Sequence, residues 1–106
     1  MKTRRVVITG LGALTPIGNN ANAYWNSLEK GVSGAAPITY FDTENFKTKF
    51  ACELKNFQPT DFLERKEARK LDRFSQYALV VAQEAYEDSG LAESNISPDR
   101  FGVVWG

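Results

Sequence analysis

The sequence contains no histidine, and this absence restricts its chemistry more than any other feature of its composition. Serine and cysteine nucleophiles are commonly activated by a histidine base, so these 106 residues cannot assemble a Ser-His-Asp or Cys-His site by themselves. A single cysteine excludes an internal disulfide and, without histidine, argues against a metal site. If the chain belongs to an enzyme of this kind, the partners of its nucleophile lie outside these residues.

An excess of one charge and a long apolar run are also absent. Thirteen basic and thirteen acidic residues cancel, so the overall charge favours neither nucleic acid nor an anionic membrane as a partner. No apolar run approaches the roughly 20 residues that span a bilayer, and the start MKTRRVVITG has too few apolar residues for a secretory signal. With 42% hydrophobic residues, the composition predicts one globular, soluble, cytoplasmic protein.

The opening stretch, RRVVITGLGALTPIG (residues 4–18), combines a strand pattern with a glycine-rich turn. The β-branched run Val6 to Ile8, bounded by glycine, predicts a buried strand. Gly10 and Gly12 match the first half of the dinucleotide-binding pattern G-x-G-x-x-G, but its third glycine is replaced by Thr15. The mismatch favours a structural turn and predicts no cofactor. A nucleotide-binding role remains an alternative that titration with a dinucleotide would test.

The rest of the chain alternates helix and strand signals. An asparagine, Asn20 or Asn22, is placed to cap a short helix. A longer apolar stripe with spacings of three and four predicts a second helix that ends at Gly90 and bends or restarts near Glu67. The predicted elements are a helix at 23–30, a strand at 50–54, a helical piece opening at 59–61, a helix at 67–89 and a buried strand at 101–105. A strand, helix and strand in this order predict an α/β fold with a parallel sheet.

The segment ERKEARKLDR (residues 64–73) concentrates positive charge, with five basic and three acidic residues. If it is helical, Arg69, Lys70 and Arg73 share one side, and Lys66 lies one turn earlier. From the charge pattern alone, a solvated helix face is favoured over a binding site. A non-catalytic binding module that holds an acidic partner on this patch is therefore one open hypothesis.

The only cysteine, Cys52, falls inside the predicted strand at 50–54. It has no helix N-terminus beside it to lower the pKa of its thiol, as reactive cysteines commonly do. We therefore expect a small buried or half-buried hydrophobic residue and not a nucleophile.

Seven segments, taken in order, resemble the N-terminal region of the β-ketoacyl-acyl carrier protein synthases, most closely the type II elongation enzymes of fatty-acid synthesis. The segments are VVITGLGALTPIGN, a tryptophan-bearing helix, SG, FDTENFKTKFACELKNF, ERKEARKLDRFSQYAL, DSGL and GVVWG. The resemblance covers nearly the whole chain.

This resemblance implies a thiolase fold, layered α-β-α-β-α when intact, of which residues 1–106 are the N-terminal part of the first half without an internal domain boundary. It implies a decarboxylative Claisen condensation between an acyl thioester and malonyl-acyl carrier protein. The catalytic cysteine and two histidines of the family lie beyond residue 106, so the chain alone should be inactive.

The resemblance also implies partners. The positions matching Lys66, Arg69 and Lys70 contact the acidic helix of acyl carrier protein in the family, and the intact enzymes are homodimers. Neither nucleic acid nor a membrane is expected as a partner. A polyketide ketosynthase remains an alternative within the family.

Overall fold

The computed structural model describes the whole chain, from Met1 to Gly106. Three α-helices carry most of its regular structure, and a two-stranded antiparallel ribbon and three short 3₁₀ turns complete it. In chain order the elements are α1 (Ala21–Glu29), β1 (Ala36–Pro37), β2 (Phe50–Ala51), a 3₁₀ turn at Pro59–Asp61, α2 (Arg65–Lys70), α3 (Arg73–Ser89), and 3₁₀ turns at Leu91–Glu93 and Pro98–Arg100.

The ends of α1 and α3 follow the local signals in the sequence. The side chain of Asn20 accepts a 2.8 Å hydrogen bond from the backbone N–H of Ala23, which confirms the predicted cap and starts α1 two residues earlier than predicted. Gly90 ends α3 in the left-handed conformation, with φ at 68°, where a side chain would be strained. Both helix ends are thus determined by residues within one turn of them.

The predicted bend or restart near Glu67 is wrong in position, because the helix breaks four residues later, at Leu71. Leu71 leaves α2 with an extended backbone, φ −99° and ψ 141°. Asp72 then caps α3 by accepting a 2.8 Å hydrogen bond from the backbone N–H of Ser75. Aspartate is among the preferred N-cap residues, so the chain begins its new helix there.

The two predicted core strands, Val6 to Ile8 and Phe101 to Trp105, do not form strands. Both instead border a cleft of about 480 Å³ over α3. A parallel strand needs a neighbour for its backbone hydrogen bonds, and neither segment has one here. The only sheet is the ribbon, which pairs Ala36 with Ala51 and Pro37 with Phe50.

The predicted strand at 50–54 is confirmed only for its first two residues, Phe50 and Ala51. Cys52 lies just beyond β2 and is exposed, so the expectation of a buried or half-buried side chain is wrong. The physical reason is the short ribbon, which offers no second layer to cover the thiol. The helical piece predicted at 59–61 is confirmed as a 3₁₀ turn.

The chain leaves an unusually large surface in contact with solvent. Only Ala68, Gln76 and Val80 are buried. The accessible area is 9160 Å², against about 5,900 Å² for a folded monomer of this mass. The radius of gyration is 17.6 Å, against about 13 Å for a compact chain of this length. The excess area, about 3,000 Å², is as large as an extensive protein interface.

The uncovered surface is strongly apolar at the two segments predicted as strands. Val6 and Ile8 are 88% and 82% exposed, and Val104 is 99% exposed. Large exposed apolar patches mark surfaces that contact other protein, a membrane or a ligand. No helix of the chain is both long enough and apolar enough to cross a membrane.

Candidate docking surface

The basic patch, defined here as Lys66, Arg69 and Lys70, lies on the short helix α2. All three side chains are exposed, whereas Ala68 of the same helix is buried at 7% exposure. The helix therefore turns its alanine inward and its cations outward. Arg69 and Lys70 occupy the last turn, where positive charge also interacts favourably with the helix dipole.

Arg73 does not share a helix with the basic patch, contrary to the expected spacing. The break at Leu71 places Arg73 at the first position of α3. Its guanidinium lies 4.4 Å from the centre of the Tyr40 ring, a cation–π contact. The side chain of Tyr77, and after it that of Tyr40, favours the charged form and raises the pKa of the Arg73 guanidinium above its ordinary value. Arg73 is therefore engaged within the chain, and the patch retains three of the four basic residues first grouped together.

The end of α2 is fastened to α3 by one buried side chain, Gln76. Its amide nitrogen Nε2 donates hydrogen bonds to the carbonyl oxygens of Ala68, at 2.8 Å, and Leu71, at 3.3 Å. Carbonyl groups at a helix C-terminus lack partners within the helix. Gln76 therefore supplies a hydrogen-bond donor from α3 at the point where the chain leaves α2. The sequence gives no signal for this contact, since glutamine within a helix is usually a solvated residue.

The start of α2 is held by a stack of aromatic rings. Phe62 stacks on Phe57 with ring centres 6.0 Å apart, and Phe57 meets the edge of Tyr77 at 5.4 Å. Tyr77 belongs to α3, and the backbone N–H groups of Phe62 and Leu63 both bond to the carbonyl of Pro59. The turn before α2 is therefore anchored on the same helix as its end.

Backbone N–H groups in and after the glycine-rich turn donate hydrogen bonds to carboxylates of α3. The carboxylate of Glu84 accepts hydrogen bonds from the backbone N–H groups of Ala13, at 2.8 Å, and Ala21, at 2.7 Å. Asp88, one turn further along α3, accepts a 3.0 Å hydrogen bond from the N–H of Leu11. These amides are the donors that a phosphate would need, so the structural interpretation of the turn is favoured over the nucleotide-binding one.

Gly10 and Gly12 allow this turn to approach α3 closely. A Cβ atom at Gly10 would collide with the carbonyl oxygen of Ala85, and one at Gly12 would collide with that of Val81. The two glycines therefore permit close packing between backbone and helix. This is a more specific structural role than the sharp turn that the sequence suggests.

Comparison with known proteins decides the family. The sequence profile described as "Beta-ketoacyl synthase, N-terminal domain" matches residues 3–106. The chain belongs to the β-ketoacyl synthase family. The 3-oxoacyl-[acyl-carrier-protein] synthase 2 of Staphylococcus aureus strain N315 is 49% identical over 102 residues, which cover 96% of this chain and 25% of that protein. The protein of the same description from Synechocystis is 43% identical over 106 residues, covering 100% of this chain and 26% of that protein.

A solved structure agrees with this assignment. The structure described as "The ishigamide ketosynthase/chain length factor" superposes with a TM-score of 0.75 at 38% identity, over 93% of this chain and 23% of that one. The fold is therefore the N-terminal part of a thiolase-like α/β fold, as the sequence predicts. The chain spans about a quarter of the length of these β-ketoacyl synthase relatives.

Proposed function

We propose that these residues form the N-terminal part of a β-ketoacyl-acyl carrier protein synthase that elongates acyl chains. The observation that carries this proposal is the 43–50% identity, across nearly the whole chain, to 3-oxoacyl-[acyl-carrier-protein] synthases 2. In this proposal residues 1–106 belong to the first thiolase-like half, and the apolar surface of Val6 and Val104 packs against later parts of the enzyme.

The proposed reaction joins two thioesters. A cysteine of the enzyme first takes the acyl group from its carrier and releases the carrier thiol. Malonyl-acyl carrier protein then loses carbon dioxide, and the resulting carbanion attacks the acyl-enzyme thioester. The new carbon–carbon bond gives a 3-oxoacyl thioester on the carrier, and the cysteine leaves as a thiolate. Two histidines assist decarboxylation and stabilise the oxyanion. In this proposal all three groups lie outside residues 1–106. These residues contain no histidine, and their only cysteine, Cys52, has no helix N-terminus beside it to activate the thiol.

The contribution that we propose for this part of the chain is to receive acyl carrier protein. Three exposed cations on a short helix, Lys66, Arg69 and Lys70, suit an acidic helix as a partner. Charge complementarity of this kind accelerates encounter and orients the partner more than it raises affinity. This suits a carrier that must bind, react and leave in each cycle.

The proposal includes a homodimeric, cytoplasmic enzyme. Its support is the family membership together with the excess of exposed surface, which needs cover from other parts of the enzyme or from a second subunit. The same excess disfavours the alternative of a free-standing binding module, because a module must cover its own apolar residues to remain folded.

The experiment is a condensation assay on the complete enzyme. Acyl-acyl carrier protein and malonyl-acyl carrier protein are supplied, and formation of the 3-oxoacyl product and release of carbon dioxide are measured. We expect both to appear in equal amounts, and to be absent when residues 1–106 are assayed alone. Absence of product from a folded, complete enzyme would contradict the proposal, as would condensation by residues 1–106 alone.

A polyketide ketosynthase is the second candidate, supported by the likeness to the ketosynthase/chain length factor structure at 38% identity. The same assay separates the two, because a fatty-acid enzyme elongates the fully reduced acyl chain once. A polyketide enzyme condenses repeatedly without reduction, so its product would carry several oxo groups.

A further inference from the structure

We infer that Gln76 is a positioning residue for the docking of acyl carrier protein, because it fixes the orientation of the helix that carries the basic patch. This inference rests on the proposed function of that patch. Gln76 does not touch the partner in this account. It acts through the backbone, by hydrogen bonds to carbonyl oxygens at and just beyond the C-terminal end of α2.

The helix α2 needs such support because it is short and interrupted. It contains six residues, and isolated helices of that length are not stable in water. The extended backbone at Leu71 also separates α2 from α3, so α3 does not impose its own direction on α2. The direction of the patch must therefore come from tertiary contacts.

The two hydrogen bonds of Gln76 lie on either side of Arg69 and Lys70, two of the three residues of the patch. They end on the carbonyl oxygens of Ala68 and Leu71, which immediately precede and follow Arg69 and Lys70. Fixing both carbonyls fixes the backbone from which these two cations project. No other side chain of α3 hydrogen-bonds to the backbone of α2.

The burial of Gln76 makes it unfavourable to break these two hydrogen bonds. Gln76 is 9% exposed, one of three buried residues in the chain, and the other two, Ala68 and Val80, are apolar. Its amide nitrogen Nε2 would lose both acceptors if α2 moved away from α3, and a largely buried donor without an acceptor is unfavourable. We therefore expect both hydrogen bonds of Gln76 to persist in solution.

The test replaces Gln76 in the complete enzyme and compares two acyl donors. One donor is acyl-acyl carrier protein, which docks on the patch. The other is a small acyl-pantetheine thioester, which delivers its acyl group without docking; malonyl-acyl carrier protein is saturating with both donors. In Gln76→Leu, we expect the KM for the carrier-bound donor to rise about fivefold, since several weak ion pairs lose their geometry together. Its kcat and the KM for the small thioester should change little. Amide exchange at residues 66–71 should accelerate.

The matched control is Gln83→Leu, the same replacement on the same helix. Gln83 is exposed, and its amide bonds only to Glu87 of α3, at 2.6 Å. We expect both KM values to stay at the wild-type level. Should Gln76→Leu fail to fold, Gln76→Asn tests the same point, because it keeps the amide on a shorter stem. A KM that is unchanged, or that rises equally for both donors, overturns the inference.

A patch-neutralised enzyme, Lys66→Ala with Arg69→Ala and Lys70→Ala, separates this inference from the proposed docking. A higher KM for the carrier-bound donor in this enzyme, unchanged further by Gln76→Leu, is the result that we expect. If neutralising the patch raises the KM but Gln76→Leu alone does not, docking stands and the role of Gln76 is wrong. If neutralising the patch leaves the KM unchanged, the proposed docking fails first.

Discussion

Glu84 in α3 accepts a 2.7 Å hydrogen bond from the backbone N–H of Ala21, the first residue of α1. Its other carboxylate oxygen accepts the N–H of Ala13 in the glycine-rich turn. The Glu84 side chain thus joins α3 to two parts of the chain that lie 63 and 71 positions from it. The turn that resembles a phosphate site is completed by an internal carboxylate.

We predict that Glu84→Ala destabilises the complete enzyme by about 1–3 kcal/mol, because it leaves two partly buried N–H groups without an acceptor. Glu84→Gln should cost less, since its amide oxygen still accepts one of the two hydrogen bonds. Urea unfolding of the purified variants measures both effects. Equal stability of Glu84→Ala and the wild type would show that water replaces the carboxylate without loss.

The cap of α3 predicts a dependence of stability on pH. The hydrogen bond from the backbone N–H of Ser75 holds the pKa of the Asp72 carboxyl below its ordinary value of 3.8. Because the folded form has the lower pKa, the stabilisation is complete above the ordinary value and is lost as the pH falls through the folded one.

Asp72→Asn is the variant that isolates this effect, because asparagine caps a helix about as well as aspartate but does not titrate. We expect the wild type to lose protection of the Ser75 amide against hydrogen exchange below pH 3.8 more steeply than Asp72→Asn does. Parallel pH profiles for the two proteins would argue that the Asp72 carboxylate has no special interaction in the folded state.

The large exposed surface predicts the behaviour of residues 1–106 expressed alone. Three buried side chains supply too little apolar burial to offset the conformational entropy of 106 ordered residues. We therefore expect a broad, non-cooperative thermal transition and binding of a hydrophobic dye. Calorimetry is the measurement, and a sharp two-state transition would mean that the chain finds a more compact arrangement by itself.

Local signals were sufficient for the helix ends, and they failed where structure depends on distant residues. The cap at Asn20 and the stop at Gly90 lie next to the helices that they bound, so both could be predicted. The break before Asp72 was misplaced because Glu67 interrupts the apolar stripe, whereas the stronger N-cap lies further on. The segments around Ile8 and Val103 carry strand patterns, but a strand also requires a paired neighbour, which this chain does not provide.

In the docking surface, too, local sequence predicts some features and contacts with distant residues determine the others. The cationic character of Lys66, Arg69 and Lys70 can be predicted from the sequence, as can their place on a helix. The grouping with Arg73 failed because the helix ends between them, and the aromatic ring of Tyr40, far away in sequence, holds that guanidinium. Gln76 had no sequence signal, since its two partners are backbone carbonyls that any residue would offer.

The affinity of the complete enzyme for acyl carrier protein, measured at low salt, tests the docking surface most directly. The variant is the triple reversal Lys66→Glu, Arg69→Glu and Lys70→Glu. Its control reverses three exposed lysines outside α2, Lys2, Lys30 and Lys47, and lowers the net charge by the same amount. We predict a Kd that rises roughly 10- to 100-fold for the patch variant, a much smaller rise for the control, and a difference that shrinks as salt is added. Equal Kd values for the patch variant and the control would contradict the account.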